Sequence, residues 1–478
     1  SLEMYIKEGY WKGYISFLKS EYKMRYDLII KNGQVITEDG TQQVDVCICD
    51  GKIAYVGKCT DQDSWDKEVD AEGQYVFPGF IDPHVHLNDP GLTNSEDFCT
   101  GTCAAAAGGI TTVLEHPLTF PLPDHLQSFN EKKEIAKSKA VVNFGLFGAC
   151  SENNQLEMEK MIENGAIAFK TFLTYSPEIP KLDDGRLLER MSFLSGRDIV
   201  LAIHCENNDI VEYCTAKLQA EGRISPEDYP DGRPEIAEIE AVSRMALFAK
   251  ETGCKVNIAH CTLEEAVDIV QEAKKAGADI SVETCPQYLL LNRSMLPKLG
   301  VFGICNPPLR REESVEKLWN AIFDGKIDWV CSDHATYTVE EKMAGSDNVF
   351  KTPAGVTSVE LCYQLFFSEG VIKRGLPVEK FVELSSTNAA KRYRLYPNKG
   401  RIAVGADADV VILDPNEVWH VEDSALKQMI KWSPYQDMSV NGKVKKTIVN
   451  GVEVYNGADV IGEKGCGTFA QPIERKNR

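Results

Sequence analysis

The sequence predicts an α/β protein: a (β/α)8 barrel with a smaller β-sandwich assembled from both ends of the chain. Three observations lead there. Eight apolar, β-branched runs alternate with helix-like segments through the middle of the chain. Short alternating strands with Asn-Gly and Asp-Gly turns occupy both flanks. Ionisable residues recur at the ends of the apolar runs, where a barrel of this kind carries its active rim.

The flanks come first. Residues 1–23 are aromatic-rich and read as an N-terminal extension, because Met24 opens the strand-like "MRYDLIIKNGQVI". Residues 24–77 supply the first part of the sandwich and residues 399–460 the second, with "DADVVILDP" and "KVKKTIVNGVEVYN" repeating the early style. Residues 461–478 are expected to form a tail. Chain ends commonly lie close together, so one β domain drawn from both is the economical arrangement.

Residues 78–398 are expected to form the barrel. Its strands are read in "VFPGFIDPHVH", "GITTVLEHP", "AVVNFGLFG", "AIAFKTFL", "IVLAIHCE", "KVNIAHCT", "DISVETCP" and "DWVCSDHA". Segments such as "EIAEIEAVSRMALFAKETG" separate most of them with a 3.6-residue apolar period. An open dinucleotide-binding sheet would need a G-x-G-x-x-G turn after its first strand. "AAAAGGITT" lacks that spacing and reads as a helix, its terminal glycines and the next strand.

Composition narrows the function class. The chain has 478 residues, 43% hydrophobic, and a formal net charge of −20. That charge disfavours nucleic acid and anionic membranes as partners, because phosphates would be repelled. No stretch approaches the roughly 20 apolar residues of a membrane helix. The 15 cysteines form no C-x-x-C pair and lie singly in apolar runs, which fits a reducing cytoplasm better than a disulfide framework.

The strand ends carry the chemistry. "IDPHVHLNDPG" places His84 and His86 on one face of a strand, at its end. Lys170 lies near the end of the fourth run, His204 and His260 end the fifth and sixth, and Asp333 and His334 end the eighth. Five of the eight histidines thus fall on one rim. His84, His86, His204, His260 and Asp333 suit divalent metal. His116, His125 and His420 read as structural. Lys170 is the odd member, since an ammonium beside divalent cations would be repelled. Either it points away, or carbon dioxide has converted it to an anionic carbamate able to bridge two metals.

Together with "GTCAAAAGGITTV", "AFKTF", "HCEN", "IAHCT", "CNPPLR", "SDHA" and "GRIAVGADADVVILDP", these residues resemble the cyclic amidohydrolases: allantoinases, hydantoinases or dihydropyrimidinases, and dihydroorotases. The resemblance runs from about residue 26 to 456. It implies a barrel beside a β-sandwich and a binuclear metal site, usually zinc, with manganese or cobalt as alternatives. His84, His86 and Asp333 would hold one metal and His204 and His260 the other. Lys170, as N6-carboxylysine, would bridge them together with a hydroxide. The implied reaction is hydroxide attack on a ring amide, with Asp333 moving the proton and Tyr175 stabilising the oxyanion. Asn306 and the backbone near Ala354 and Gly355 would hold the ureide edge of the ring.

The substrate signals divide. Asn88 stands where dihydroorotases carry the arginine that binds a carboxylate, which disfavours dihydroorotate. Long stretches such as "HCENNDIVEYCTAKLQAEGRISPEDY" resemble allantoinases, and allantoin to allantoate is the expected reaction. Leu92 stands where allantoinases tend to carry an arginine, and Tyr175 and "EDF" at 96–98 lean instead toward hydantoinases, the runner-up. A different class, the scaffold relatives that have lost their ligands, is disfavoured because all six ligand positions are filled. The resemblance also implies a homo-oligomer, a tetramer or a dimer.

Overall fold

The computed structural model describes residues 24–60, 62–177 and 179–474. The expected extension over residues 1–23 lies outside the described residues. The centre of the fold is a nine-stranded parallel sheet. Its strands are β1 (Phe80–His86), β2 (Ile110–Glu115), β3 (Asn143–Ala149), β4 (Ala168–Phe172), β5 (Val200–His204), β6 (Lys255–Ile258), β7 (Ile280–Thr284), β8 (Trp329–Val330) and β9 (His334–Ala335). Neighbours follow chain order from β1 to β8, and β9 pairs back onto β1 at His334–Val85. Because β8 and β9 belong to one passage of chain, the sheet closes on itself as a barrel.

Every residue of β1, β2, β3, β5 and β7 is buried, as strands covered on both faces must be. Helices cover the outside. Glu264–Lys275, for instance, turns Ala266, Val267 and Val270 inward and its charges outward. The "AAAAGGITT" reading holds: a helix over Phe98–Ala107 is capped by Asp97, Gly109 takes φ +82°, and β2 starts at Ile110.

Two further sheets face each other beside the barrel. One has four strands (Arg25–Lys31, Asp45–Cys49, Lys52–Gly57, Ser64–Asp70). The other has six, and joins Gln34–Thr37, Gly40–Gln42 and Tyr75–Pro78 to Val410–His420, Ser439–Val449 and Val452–Tyr455. Leu28, Ile30, Val46 and Ile48 from the first meet Val76, Val410, Ile412 and Ile448 from the second in one core. The sandwich therefore draws on both ends of the chain.

Two expected strands are divided. The run beginning at Val76 does not enter the barrel as one strand. Tyr75–Pro78 pairs antiparallel with residues 410–413, and the chain crosses to the barrel at Gly79. A Cβ there would sit 2.0 Å from Thr111 Oγ1, so only glycine fits the crossing. The eighth run is interrupted at residues 331–333, where Asp333 adopts φ +47°. Side chains stitch the gap. The Ser332 N–H donates to Asp82 Oδ1 at 3.0 Å, and Ser332 Oγ donates to the His84 carbonyl at 3.2 Å. The Tyr363 hydroxyl lies 2.6 Å from the Ile81 carbonyl and 3.0 Å from that of Val330, bridging the two sides.

No described helix is long and apolar enough to cross a membrane.

Candidate metal centre

Parallel strands all present their C-terminal ends to one rim, so residues far apart in sequence converge there. His84, His86, Lys170, His204, His260 and Asp333 line a single cavity of about 280 Å3, together with Tyr175, Asn306, Ala354 and Gly355. His84 Nε2 and His86 Nε2 lie 3.1 and 3.3 Å from Asp333 Oδ1. Across the cavity, His204 Nδ1 lies 3.0 Å from His260 Nε2. His260 and Asp333 both hold left-handed backbones, φ +39° and +47°. Such conformations cost energy in non-glycine residues and collect at functional sites.

Burial pulls His84 and His260 well below the usual imidazole pKa, and lowers His204 as well. Repulsion from Lys170 contributes to all three. Burial lowers Lys170 itself. The imidazoles are therefore neutral, with lone pairs available to a cation. Lys170 Nζ and His260 Nδ1 are buried and find no hydrogen-bond partner among the described residues. A buried amine without an acceptor is costly, whereas its carbamate would offer two oxygens to cations. Neutral imidazoles with one carboxylate suit zinc and similar divalent ions. The residues present fit the expected pair of metals.

The outer nitrogens of two histidines are anchored by residues that sequence reasoning missed. His84 Nδ1 lies 2.6 Å from Glu283 Oε1. Glu283 Oε2 accepts from Asn257 Nδ2 at 3.0 Å and from Trp329 Nε1 at 2.8 Å. Burial pushes the Glu283 carboxyl up to about 7, against the pull of Lys170. His116 stacks on the His84 ring at 3.7 Å between centroids, so this expected structural histidine is a plate behind the rim. His204 Nε2 lies 2.7 Å from Glu206 Oε2, which also accepts from Arg233 Nη2 at 2.5 Å. These contacts leave His84 Nε2 and His204 Nδ1 facing the cavity. The available signals were a lone acid inside an apolar strand for Glu283 and the "HCEN" spacing for Glu206.

The fifth rim histidine is elsewhere. His334 follows Asp333 and points to the opposite side, fully buried. Its Nδ1 accepts from the Ser358 and Val359 N–H groups at 3.0 and 3.3 Å, so the proton resides on Nε2, 3.3 Å from Glu96 Oε2. His420 is exposed, and so is His125, beside Asp124.

Tyr175 sits on the rim with 73% of its surface exposed, and its N–H donates to Asn208 Oδ1 at 2.8 Å. Asn306 Oδ1 accepts from the Tyr229 hydroxyl at 2.8 Å, which turns its amide nitrogen to other partners. Gly355 N–H is committed to the Ile304 carbonyl at 3.0 Å. Asn88 Nδ2 is engaged by Ser95 Oγ at 2.8 Å and by Thr336 Oγ1 at 3.0 Å.

Comparison with known proteins identifies the family. The Amidohydrolase family model matches residues 75–454. An allantoinase of Bacillus licheniformis is 37% identical over 93% of this chain and 100% of its own length. An L-hydantoinase of Paenarthrobacter aurescens is 33% identical over 95% of this chain and 99% of its own. Among solved structures, the L-hydantoinase (dihydropyrimidinase) from Arthrobacter aurescens superposes with a TM-score of 0.91 at 33% identity, covering 93% of this chain and 100% of that one. With a match running through the whole barrel and relatives alike over their full length, this chain belongs to the amidohydrolase family, in the group that takes in these allantoinases and hydantoinases.

Proposed function

We propose that the chain hydrolyses the ring of a cyclic ureide, with allantoin as the substrate and allantoate as the product. One observation carries the reading: six side chains from five strand ends share one cavity, and the amine among them is buried without a hydrogen-bond partner among the described residues. His84, His86 and Asp333 are assigned to one divalent cation, His204 and His260 to a second, and Lys170, carboxylated on Nζ, to both. Zinc is the first choice, with manganese or cobalt as alternatives. The bound pair would supply Lewis acidity and a water of lowered pKa.

The chain's own groups do the rest. Asp333 takes the proton of the attacking water at its carboxylate and returns it to the leaving ring nitrogen. Tyr175 turns inward from the rim and its hydroxyl donates a hydrogen bond to the carbonyl oxygen of the attacked ring amide as charge builds there. The Asn306 amide nitrogen and the backbone at Ala354 hold the ureide edge. Gly355, whose N–H is already committed, serves by letting the loop approach closely: a Cβ there would lie 2.8 Å from that of Ala335.

The ring substituent is neutral on this reading. No arginine lines the cavity among the described residues, and Asn88 is spent on Ser95 and Thr336. Dihydroorotate would bring a carboxylate with nothing to receive it. Allantoin is favoured by the allantoinase likeness at 37% and 35% identity. A hydantoin or dihydropyrimidine is the second reading, favoured by Tyr175 on the rim and by the 0.91 superposition on an L-hydantoinase. A cytoplasmic homo-oligomer, tetramer or dimer, accompanies the proposal.

The test is a panel of allantoin, hydantoin, dihydrouracil and dihydroorotate, assayed with added zinc, manganese and cobalt. Highest kcat/KM on allantoin is expected. Highest kcat/KM on hydantoin or dihydrouracil would transfer the assignment to the second reading. Purified protein without bound metal and inert on all four would point to a scaffold.

A further inference from the structure

Two loops bound the cavity. One carries Asn306 and the other Ala354 and Gly355. Lys342, in the short helix Val339–Met343, lies behind both and has no exposed surface. Its Nζ donates to the Ile304 carbonyl at 3.1 Å, the Pro353 carbonyl at 2.9 Å and the Gly355 carbonyl at 3.0 Å. An ammonium has three N–H groups, and here each meets one carbonyl, one from the first loop and two from the second. Aromatic rings complete its surroundings, Trp432 at 5.5 Å and Tyr337 at 6.0 Å from Nζ.

Lysines are seldom fully buried without a carboxylate, because desolvating the charge is expensive. Burial indeed pushes the Lys342 pKa down to about 7. What the arrangement returns is geometry. Loops lack a ladder of their own to fix their separation, and among the described residues the one direct backbone stitch between these two is Gly355 N–H to Ile304 O at 3.0 Å. The lysine doubles and triples that stitch from the side opposite the cavity. It lines no part of the cavity itself.

We propose that Lys342 is a positioning residue for substrate: it sets the spacing between the Asn306 loop and the Ala354–Gly355 loop, and so the width of the slot that grips the ring edge. This rests on the ring-opening reading of the cavity. It acts on ring binding and leaves the metal ligands alone, since none of its three acceptors belongs to a residue assigned to metal.

The test compares wild type with Lys342→Met, which keeps the length and removes the donors, and with Lys342→Arg, which keeps donors. Three quantities are read: bound metal, steady-state kinetics on allantoin and hydantoin, and amide hydrogen exchange over residues 302–309 and 350–358. For Lys342→Met the expected result is unchanged metal content and KM raised by about 10-fold or more with kcat little changed. Exchange should be faster in both segments. Lys342→Arg should recover part of the KM. Unchanged KM and unchanged exchange overturn the proposal, and so does loss of metal with equal loss of kcat. If Lys342→Met does not fold, Lys342→Arg decides by the same readouts: wild-type KM and exchange in a side chain of different reach overturn the spacing role. If wild type opens none of the rings, the functional reading fails, and the exchange data alone decide whether Lys342 ties the loops.

Discussion

The Nδ1 of His84 lies 2.6 Å from Glu283 Oε1, and this contact determines which nitrogen of the ring is presented toward Asp333. Glu283 is itself fixed by Asn257 and Trp329, so the ring's orientation is inherited from the barrel interior. Removing the charge while keeping the shape isolates that effect. Glu283→Gln should weaken metal affinity by about 10–100-fold with little change in the fold, measured by chelator competition and circular dichroism. Unchanged affinity would mean that stacking on His116 suffices to hold the ring.

Lys170 offers a sharper outcome. Lys170→Ala should lose bound metal and activity together, because the bridging group is gone. Metal analysis of the purified variant checks this, and retention of two equivalents would count against carboxylation.

For Tyr175 the expected effect is on turnover. Tyr175→Phe should lower kcat by roughly 10²–10³-fold if the hydroxyl reaches the developing oxyanion. Its 73% exposure makes the inward turn necessary. Unchanged kinetics would leave Tyr175 as a rim residue only.

The Glu206–Arg233 pair carries a pH signature. Burial alone would raise the Glu206 carboxyl, but Arg233 and His204 outweigh it and hold it at about 2. A folded-state pKa below the unfolded one stabilises the protein above the unfolded value, and that contribution is lost as pH falls from about 4.5 toward 2. Arg233→Met strands the carboxylate and should cost about 3–5 kcal/mol near neutrality. Thermal melts across the pH range should show the variant's deficit largest at neutral pH and smaller in acid. A deficit independent of pH would assign the loss to packing.

Much of the barrel was legible because unbroken apolar runs and period-3.6 amphipathicity are local properties. "IDPHVH" announces two imidazoles on one face, and "AAAAGGITT" announces a helix end followed by a strand. What escaped depends on partners far away in the chain. Glu283 looks like an isolated acid in "DISVETCP", yet its partner His84 lies 199 residues earlier. Lys342 sits in "VEEKM", which reads as a solvated helix face, and is buried only because two loops fold over it. Asp333 and His334 are adjacent and read alike, but the left-handed backbone at 333 sends them to opposite sides. The strand break at Gly79 was hidden because residues on both sides of it are apolar and buried. The choice of ring stayed open because backbone groups leave no signature in side-chain identity.

The interruption at residues 331–333 has a mechanical corollary. Elsewhere the cylinder is held by repeating backbone hydrogen bonds that tolerate almost any side chain; at this line only the short pairing at His334–Val85 and Ala335–His86 remains among the described residues, and Asp82, Ser332 and Tyr363 supplement it individually. Opening of the cylinder under force or denaturant should therefore start along β1 at its short pairing with β9, and the first function to vanish would be whatever Asp333 does, well before the remaining staves separate.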